Sequence, residues 1–267
     1  MGRPTPLTDT HCHIHEADYV DSEGAYQRAQ DQGVARMICV GTDLDSSRRA
    51  VAFANSHPGA QASIALHPHI ATEVDRTELA AMWRGIEQLA GQNTQKIIAI
   101  GECGLDYFYH SDAKARKAQQ DMLRRHITLA AQRDLPLIFH VREAFADFWP
   151  IFDEFSRSKA IKGVLHSFTD SRENADIAIK KGLFIGVNGI STFTKDPAQQ
   201  AMFAAIPLNK LLIETDAPYL TPIPLRGKVN EPAYVKHVAL FHATVRGVPM
   251  EEVAAATSNN ATQLFSI

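Results

Sequence analysis

Eight short apolar runs recur along this chain: LTDTHCH (7–13), RMICVG (36–41), ASIALH (62–67), KIIAIGE (96–102), PLIFH (136–140), GVLHS (163–167), LFIGV (183–187) and LLIETD (211–216). Each is the length of a strand, and the stretches between them have room for about one helix apiece. The clearest helical pattern covers about 113–133, where Met122, Leu123, His126, Ile127 and Ala130 fall at helical spacing. A second covers 234–245, with Asn230, ahead of Glu231 and Pro232, as its expected cap. Strands apolar along their whole length are buried on both faces, the state of a parallel sheet covered by crossover helices. Eight such units in 267 residues predict an α/β protein with a TIM-type (β/α)8 barrel rather than an open sheet. No linker, low-complexity segment or charge block interrupts the pattern, so a single domain over 1–267 is expected.

Metal-competent side chains end five of these runs. His11 and His13 close the first, Glu102 the fourth, His140 the fifth, His166 the sixth and Asp216 the eighth. One metal-binding loop cannot scatter its ligands so widely, whereas strand ends that converge on a single barrel mouth can. Positions two apart on a strand point the same way, so His11 and His13 can face one ion while Cys12 faces the opposite layer. Gly101 and Gly104 are expected to turn the backbone tightly and leave the Glu102 carboxylate at the rim. Its two oxygens can bridge two ions, which a neutral imidazole cannot do. Alone, each of these residues reads as a surface histidine or a helix cap; together, at successive strand ends, they point to a metal centre.

Charge and cysteine usage narrow the class. With 27 basic and 30 acidic residues the formal net charge is -3, so no bulk positive field draws the chain to nucleic acid. A metal centre and a few placed cations can still hold phosphates locally. Cys12, Cys39 and Cys103 lie in or beside apolar runs and read as small core residues in a reducing compartment. No stretch approaches a membrane span, and the opening MGRPTP lacks an apolar signal core, so a cytoplasmic protein is expected.

The segments DTHCH, GECGLDY, FHVREA, LHSFT, ETDAPYLTP and RGKVNEPAYV, in this order, resemble the TatD family of metal-dependent deoxyribonucleases, within the wider amidohydrolase-like superfamily. The resemblance runs from residue 8 to about 265. It implies a TIM-type barrel, a two-metal hydrolytic centre and phosphodiester substrates at DNA ends, and the functional reading built on it extends to RNA. Carried over by position, it implies that His11, His13, Glu102 and Asp216 hold one ion and that Glu102, His140 and His166 hold the second. His67, in ALHPH, matches a histidine that meets substrate phosphate or an additional ion. Arg142, Arg226, Lys228 and Asn230 match positions associated with substrate binding. The chain departs from the family at Asp170, where glycine is common, and at Cys103 beside Glu102. Neither change removes a ligand, but an acid near a phosphate path bears on substrate preference.

A divalent-metal-dependent exonuclease acting on DNA is therefore the expected function, with Glu102 and Asp216 as its catalytic carboxylates. Asp216 would orient the attacking water and take its proton. The cofactor expected is two divalent ions; imidazole and carboxylate suit Mg2+, Mn2+ and Zn2+ alike, so the element is not fixed. Glu214 lies on the same strand face as Asp216, one layer deeper, in a supporting or catalytic role; Asp106 and Tyr107 either brace the Glu102 loop or form a plain turn. Arg226 and Lys228 follow Asp216 closely enough to reach a phosphate at the mouth, although alone they read as a solvated loop. Phe108, Tyr109, Trp149 and Tyr219 either stack bases or fill core and rim. His69 stays open because it follows His67 by two residues, while His126 reads as a helix-face residue. The alternative function is a small-molecule amidohydrolase or esterase on the same metal barrel. In that class a carboxylated lysine often bridges the metals from strand four; here Glu102 takes the place, and Lys96 lies at the wrong end of the strand. A non-catalytic scaffold is the third reading. No obligate protein partner is expected.

Overall fold

Eight parallel strands pair in sequence order: β1 Leu7–Cys12, β2 Val34–Val40, β3 Ala60–Ile64, β4 Ile97–Asp106, β5 Leu137–Arg142, β6 Gly163–Leu165, β7 Phe184–Val187 and β8 Leu211–Ile213. The computed structural model describes residues 5–92, 94–157 and 159–267; the opening MGRP, part of the stretch examined for a signal core, lies outside the described residues. All eight expected strands are present and form the expected TIM-type barrel. No described helix is long and apolar enough to cross a membrane.

The barrel is nearly closed, and its seam is unusual. Between β8 and β1 the backbone makes one isolated bridge, Cys12 to Ala217. His13 N–H donates to Ala217 O at 2.7 Å and Asp216 N–H to His11 O at 2.8 Å. Deeper in, side chains replace the ladder. Asp9 accepts from Thr215 N–H at 2.9 Å and from the Thr215 hydroxyl at 2.6 Å, while Thr10 donates to Ile213 O at 3.1 Å.

Inside the barrel, Ile38, Val40, Ile98, Ile138, Val164, Phe184 and Leu212 form a small core, closed from below by Leu264 and Phe265 at the end of the last helix, Met250–Phe265. A larger layer, which includes Cys12, Met37, Cys39 and Cys103, packs the strands against the helices; the three thiols are free and buried, as expected of core residues.

The helix expected at 113–133 spans Ala113–Arg133, opened by Asp112, whose carboxylate accepts from Lys114 and Ala115 N–H, and closed at Asp134 in the left-handed region. The second spans Val235–Arg246 behind a short turn, Pro232–Tyr234, and has no side-chain cap. Asn230 is therefore not its cap. Its amide instead donates to Thr215 O at 2.8 Å and to Tyr219 O at 2.5 Å, which ties down the loop that follows Asp216.

Candidate metal centre

Two β-bulges aim the ligands. Pairing slips between Asp9 and Cys12 against β2, and again between Ile100 and Cys103 against β5, so each strand carries one extra residue just where His11 and Glu102 lie. A bulge bends a strand and redirects a side chain. The tight turn expected at Gly101 and Gly104 does not occur, because β4 continues to Asp106. Gly104 serves a close approach instead: a Cβ there would stand 1.8 Å from His140 O. Glu102 consequently points into the barrel, 5% exposed, rather than standing at the rim.

The other five expected ligands converge on that carboxylate. Oε2 faces His11 Nε2 at 3.4 Å and His13 Nε2 at 4.0 Å. Asp216 Oδ1 completes this group, 3.6 Å from His11 Nε2 and 3.3 Å from His13 Nε2. Oε1 faces His140 Nδ1 at 2.8 Å and His166 Nε2 at 3.4 Å. Asp216, His166 and Arg142 are each at or beside a residue of positive φ: Asp216 itself at 59°, Ser167 at 48° and Glu143 at 54°. Left-handed backbone at non-glycine residues is costly and gathers at functional sites.

Proton positions show that the site fits cations. On three of the four imidazoles the nitrogen remote from Glu102 is held by an acceptor, His13 Nδ1 by Val40 O at 2.9 Å, His140 Nε2 by Asp106 Oδ2 at 3.0 Å and His166 Nδ1 by Glu214 Oε1 at 2.9 Å, while His11 Nδ1 has no partner among the described residues. An acceptor there requires N–H, so in the neutral ring the nitrogen near Glu102 presents a lone pair. Lone pairs and carboxylate oxygens thus face one another across gaps of 2.8–4.0 Å. Only protons or metal ions can occupy such a centre favourably, and ligand-to-ligand gaps of this size suit bonds of about 2.0–2.2 Å.

The charges agree. Burial would raise the Glu102 pKa, yet the imidazoles of His166 and His67 and hydrogen bonds from His11 and His140 hold it well below the usual carboxylate range. Asp216, also opposed by burial, is held at about 2 by His13, His166 and His11. Burial disfavours a charged His140, but Asp106 and Glu102 pull it up to about 9, and Glu214 and Glu102 raise His166 likewise. Asp106 and Glu214 therefore act by orienting His140 and His166, the role carboxylates play behind metal-bound histidines.

His67 differs. Its Nδ1 accepts His69 N–H at 3.3 Å, so the neutral ring carries its proton on Nε2, 3.5 Å from Glu102 Oε1. Burial keeps it neutral by lowering its pKa. Although His67, Glu102 and His140 are close enough to hold an ion, this tautomer makes His67 a hydrogen-bond donor toward the centre rather than a lone-pair ligand.

A cavity of about 1290 Å³ opens above the centre, lined by His13, His67, Glu102, His140, Arg142 and Asp216, and further out by Asp170 and Tyr219. The remaining residues matched to substrate binding lie elsewhere. Arg226 and Lys228 do not line this cavity. Arg226 donates to Thr221 O at 2.8 Å and lies 3.9 Å over the Phe193 ring. Asn230 is fully buried and its amide serves backbone carbonyls, so the structure gives it a bracing position. Trp149 is bonded to Asn174 among the phenylalanines of helix Phe145–Ser156, away from the cavity. Lys96 binds the carbonyls of His57, Pro58 and Ala60 at the far end of β4.

Two residues acquire roles that the sequence pattern hid. His126, fully buried, donates from Nδ1 to Met122 O and accepts Leu66 N–H on Nε2 at 3.0 Å, which fixes the backbone just before His67. Gln119 clamps Asp106 by accepting its N–H at 2.7 Å and donating to its carbonyl at 2.9 Å. Both lie on helix Ala113–Arg133, where His126 reads as a helix-face residue; no spacing in the sequence marks either for these contacts.

Comparison with known proteins places these observations in a lineage. The family model described as TatD related DNase matches residues 8–266. The metal-dependent hydrolase YabD of Bacillus subtilis (strain 168) is 38% identical over 262 residues, which is 98% of this chain and 99% of YabD. The 3'-5' ssDNA/RNA exonuclease TatD of Citrobacter rodentium is 33% identical and covers 92% of each chain. Among solved structures, YjjV, a TatD homologue from Escherichia coli K12, superposes with a TM-score of 0.88 at 29% identity, covering 98% of both chains.

Proposed function

This chain belongs to the TatD family of metal-dependent hydrolases, and we propose that it hydrolyses phosphodiester bonds at the ends of nucleic-acid strands, DNA and also RNA. The observation that supports the proposal is Glu102, whose Oε2 faces His11 and His13 and whose Oε1 faces His140 and His166. His11, His13, Glu102 and Asp216 would hold one divalent ion, and Glu102, His140 and His166 a second. Such a pair of ions supplies an activated water and neutralises charge on the attacked phosphate.

The protein's own groups do the rest. Asp216, at the barrel seam beside His13, would orient the attacking water and take up its proton as the reaction proceeds. His67, with its proton on Nε2, donates toward the phosphate oxygens. Arg142 brings a permanent positive charge to the cavity wall and offers N–H groups in a planar fork suited to phosphate. The relatives named as TatD exonucleases support a nucleic-acid substrate over a small amide.

The test is the metal-reconstituted chain assayed on single-stranded DNA, duplex DNA, RNA and a panel of amides and carboxylic esters. Release of nucleotides from strand ends is expected. Turnover of amides or carboxylic esters with intact nucleic acid would overturn the proposal.

A further inference from the structure

Asp170, where the chain departs from the family pattern, lines the cavity four residues beyond the expected ligand His166. Each residue between them is anchored. Ser167 N–H donates to Glu214 Oε1 at 2.7 Å, and the Ser167 hydroxyl oxygen accepts from the Asn188 amide at 2.8 Å. Phe168 is buried and donates its N–H to Gly186 O at 3.0 Å, and Thr169 O accepts from the Gln199 amide at 2.9 Å. Hydrogen bonds therefore fix the path from the metal centre to Asp170 at every step.

The carboxylate itself is held at one oxygen only. Oδ1 accepts Ser171 N–H at 2.6 Å and the Asn174 amide at 2.7 Å. Asn174 in turn accepts the indole N–H of Trp149 on Oδ1 at 2.7 Å. An indole can only donate and a carboxylate only accept, so these two partners leave the Asn174 amide a single orientation. Trp149 is wedged against Phe145 and Phe148, with ring centroids 5.5 and 5.0 Å apart. Helix capping does not account for this relay, since the Ser171 hydroxyl already caps helix Arg172–Lys180 by accepting Asn174 N–H at 3.2 Å. Among the described residues Oδ2 receives no hydrogen bond and no cation pairs with Asp170; the nearby Arg172 is turned to Asp176 at 2.9 Å. The result is a carboxylate of fixed position with one oxygen left for a donor from outside the protein.

A carboxylate oxygen takes a hydrogen bond from a hydroxyl and repels a phosphate. Inside a nucleic-acid strand the 3' and 5' oxygens of every sugar are esterified, so a free hydroxyl at either carbon marks an end. We propose that Asp170 is a specificity-determining residue that reads the chemical state of the strand end: it accepts a hydrogen bond from the free terminal sugar hydroxyl and turns away ends that carry a phosphate. This rests on the phosphodiesterase reading above and adds to it the end group that the substrate must bear. Trp149 and Asn174 are positioning residues that act through Asp170. The cavity then attracts phosphate at Arg142 and repels it at Asp170, an arrangement that suits one phosphodiester beside the metal centre without a further phosphate at the terminus.

The test uses the metal-loaded chain and short DNA and RNA strands ending in a hydroxyl, in hydrogen at the same carbon, or in phosphate, varied separately at the 3' and 5' ends. At one of the two ends kcat/KM is expected to fall roughly 10- to 100-fold on loss of the hydroxyl, the worth of a hydrogen bond to a charged group, and to fall further with phosphate. Asp170→Asn and Asp170→Gly should flatten this series by raising turnover of phosphate-ended strands above the wild-type rate, a gain that a misfolded variant cannot show. Trp149→Phe keeps the apolar ring but removes the indole N–H, and should narrow the series part-way with metal content unchanged. Equal kcat/KM for all three end groups at both ends would overturn the proposal, as would a series that survives in both Asp170 variants. A preference for RNA that ignores the end group would assign Asp170 to the 2'-hydroxyl and overturn it too, and an unaltered series in Trp149→Phe would remove the indole from the arrangement. The same strands, made uncleavable by phosphorothioate linkages, are also titrated onto the metal-loaded chain. If no strand were cleaved at all, the hydrolytic reading would fail; weaker binding of phosphate ends than of hydroxyl ends, lost in Asp170→Asn, would still support the end-reading role, and equal binding would overturn it.

Discussion

The two sides of the metal centre are built by different devices. Glu102 and His140 belong to β4 and β5, of 10 and 6 residues, joined by a regular parallel register from Cys103 to Asp106. His11, His13 and Asp216 meet where β1 faces the 3-residue β8, and among the described residues an isolated bridge, two backbone hydrogen bonds near the mouth and the side chains of Asp9, Thr10 and Thr215 join the edges. Backbone ladders tolerate most substitutions because every residue can make them. A seam stitched by side chains depends on a few residue identities, so the sides should differ in sensitivity to mutation even though they share one carboxylate.

Substitution of that shared carboxylate should have the largest effect and ignore the difference between the sides. Glu102→Gln is expected to lower hydrolysis more than about a thousandfold, since several kcal/mol of charge stabilisation is lost with the bridge. Metal analysis should find fewer ions per chain than in the wild type; an unchanged metal content with full turnover would remove Glu102 from the centre.

The seam should come next. Asp9→Ala leaves buried donors on Thr215 and His11 without an acceptor and is expected to cost about 3 kcal/mol in denaturant unfolding. An equal loss from an alanine on the outer face of β4 would erase the contrast between ladder and seam.

On the β3 side of the cavity, His126 supplies a pH-dependent version of the same lesson. Burial lowers its pKa to about 4 from an ordinary 6.5, so the unfolded chain binds the proton more readily than the folded one. Its contribution is complete above about pH 6.5, declines as pH falls, and is gone near pH 4, amounting to roughly 3 kcal/mol at about 1.4 kcal/mol per unit. Subtracting the unfolding curve of His126→Gln from that of the wild type isolates this slope from that of His242, which burial lowers to about 3.

Smaller effects separate supporting groups from bystanders. Glu214→Gln should weaken metal binding by roughly 10- to 100-fold while leaving the fold intact, because it orients His166 without touching the ions. Arg142→Ala should raise KM with little change in metal content, and Arg226→Ala should raise it least of all. Comparable KM effects from the two arginines would show that the loop carrying Arg226 moves over the cavity.

Much of this was legible from residue types alone. Histidine and carboxylate at the ends of apolar runs are uncommon enough that six of them at five ends pointed to one mouth, and all six converge on it. The orientation of Glu102 was not legible: Gly101 and Gly104 suggested a turn, and only strand pairing reveals the bulge and the close approach to His140 O. Asn230 looked like a cap because its neighbours are Glu231 and Pro232, but the carbonyls of Thr215 and Tyr219 lie nearer in space. Arg226 and Lys228 looked comparable to Arg142 in the sequence, and the fold separates them by placing only Arg142 on the cavity wall.

The sequence by itself determined the repeating strand and helix units, hence the barrel, and the chemical type of its centre, because hydrophobic periodicity and ligand chemistry are properties of the chain read locally. Tertiary structure alone decided which nitrogen of His13, His140 and His166 faces Glu102, and that Asp9 and Thr215 stitch the seam. Those outcomes depend on hydrogen bonds between residues far apart in the chain, over 200 positions for Asp9 and Thr215, and such bonds exist only once the barrel has brought its first and last strands side by side.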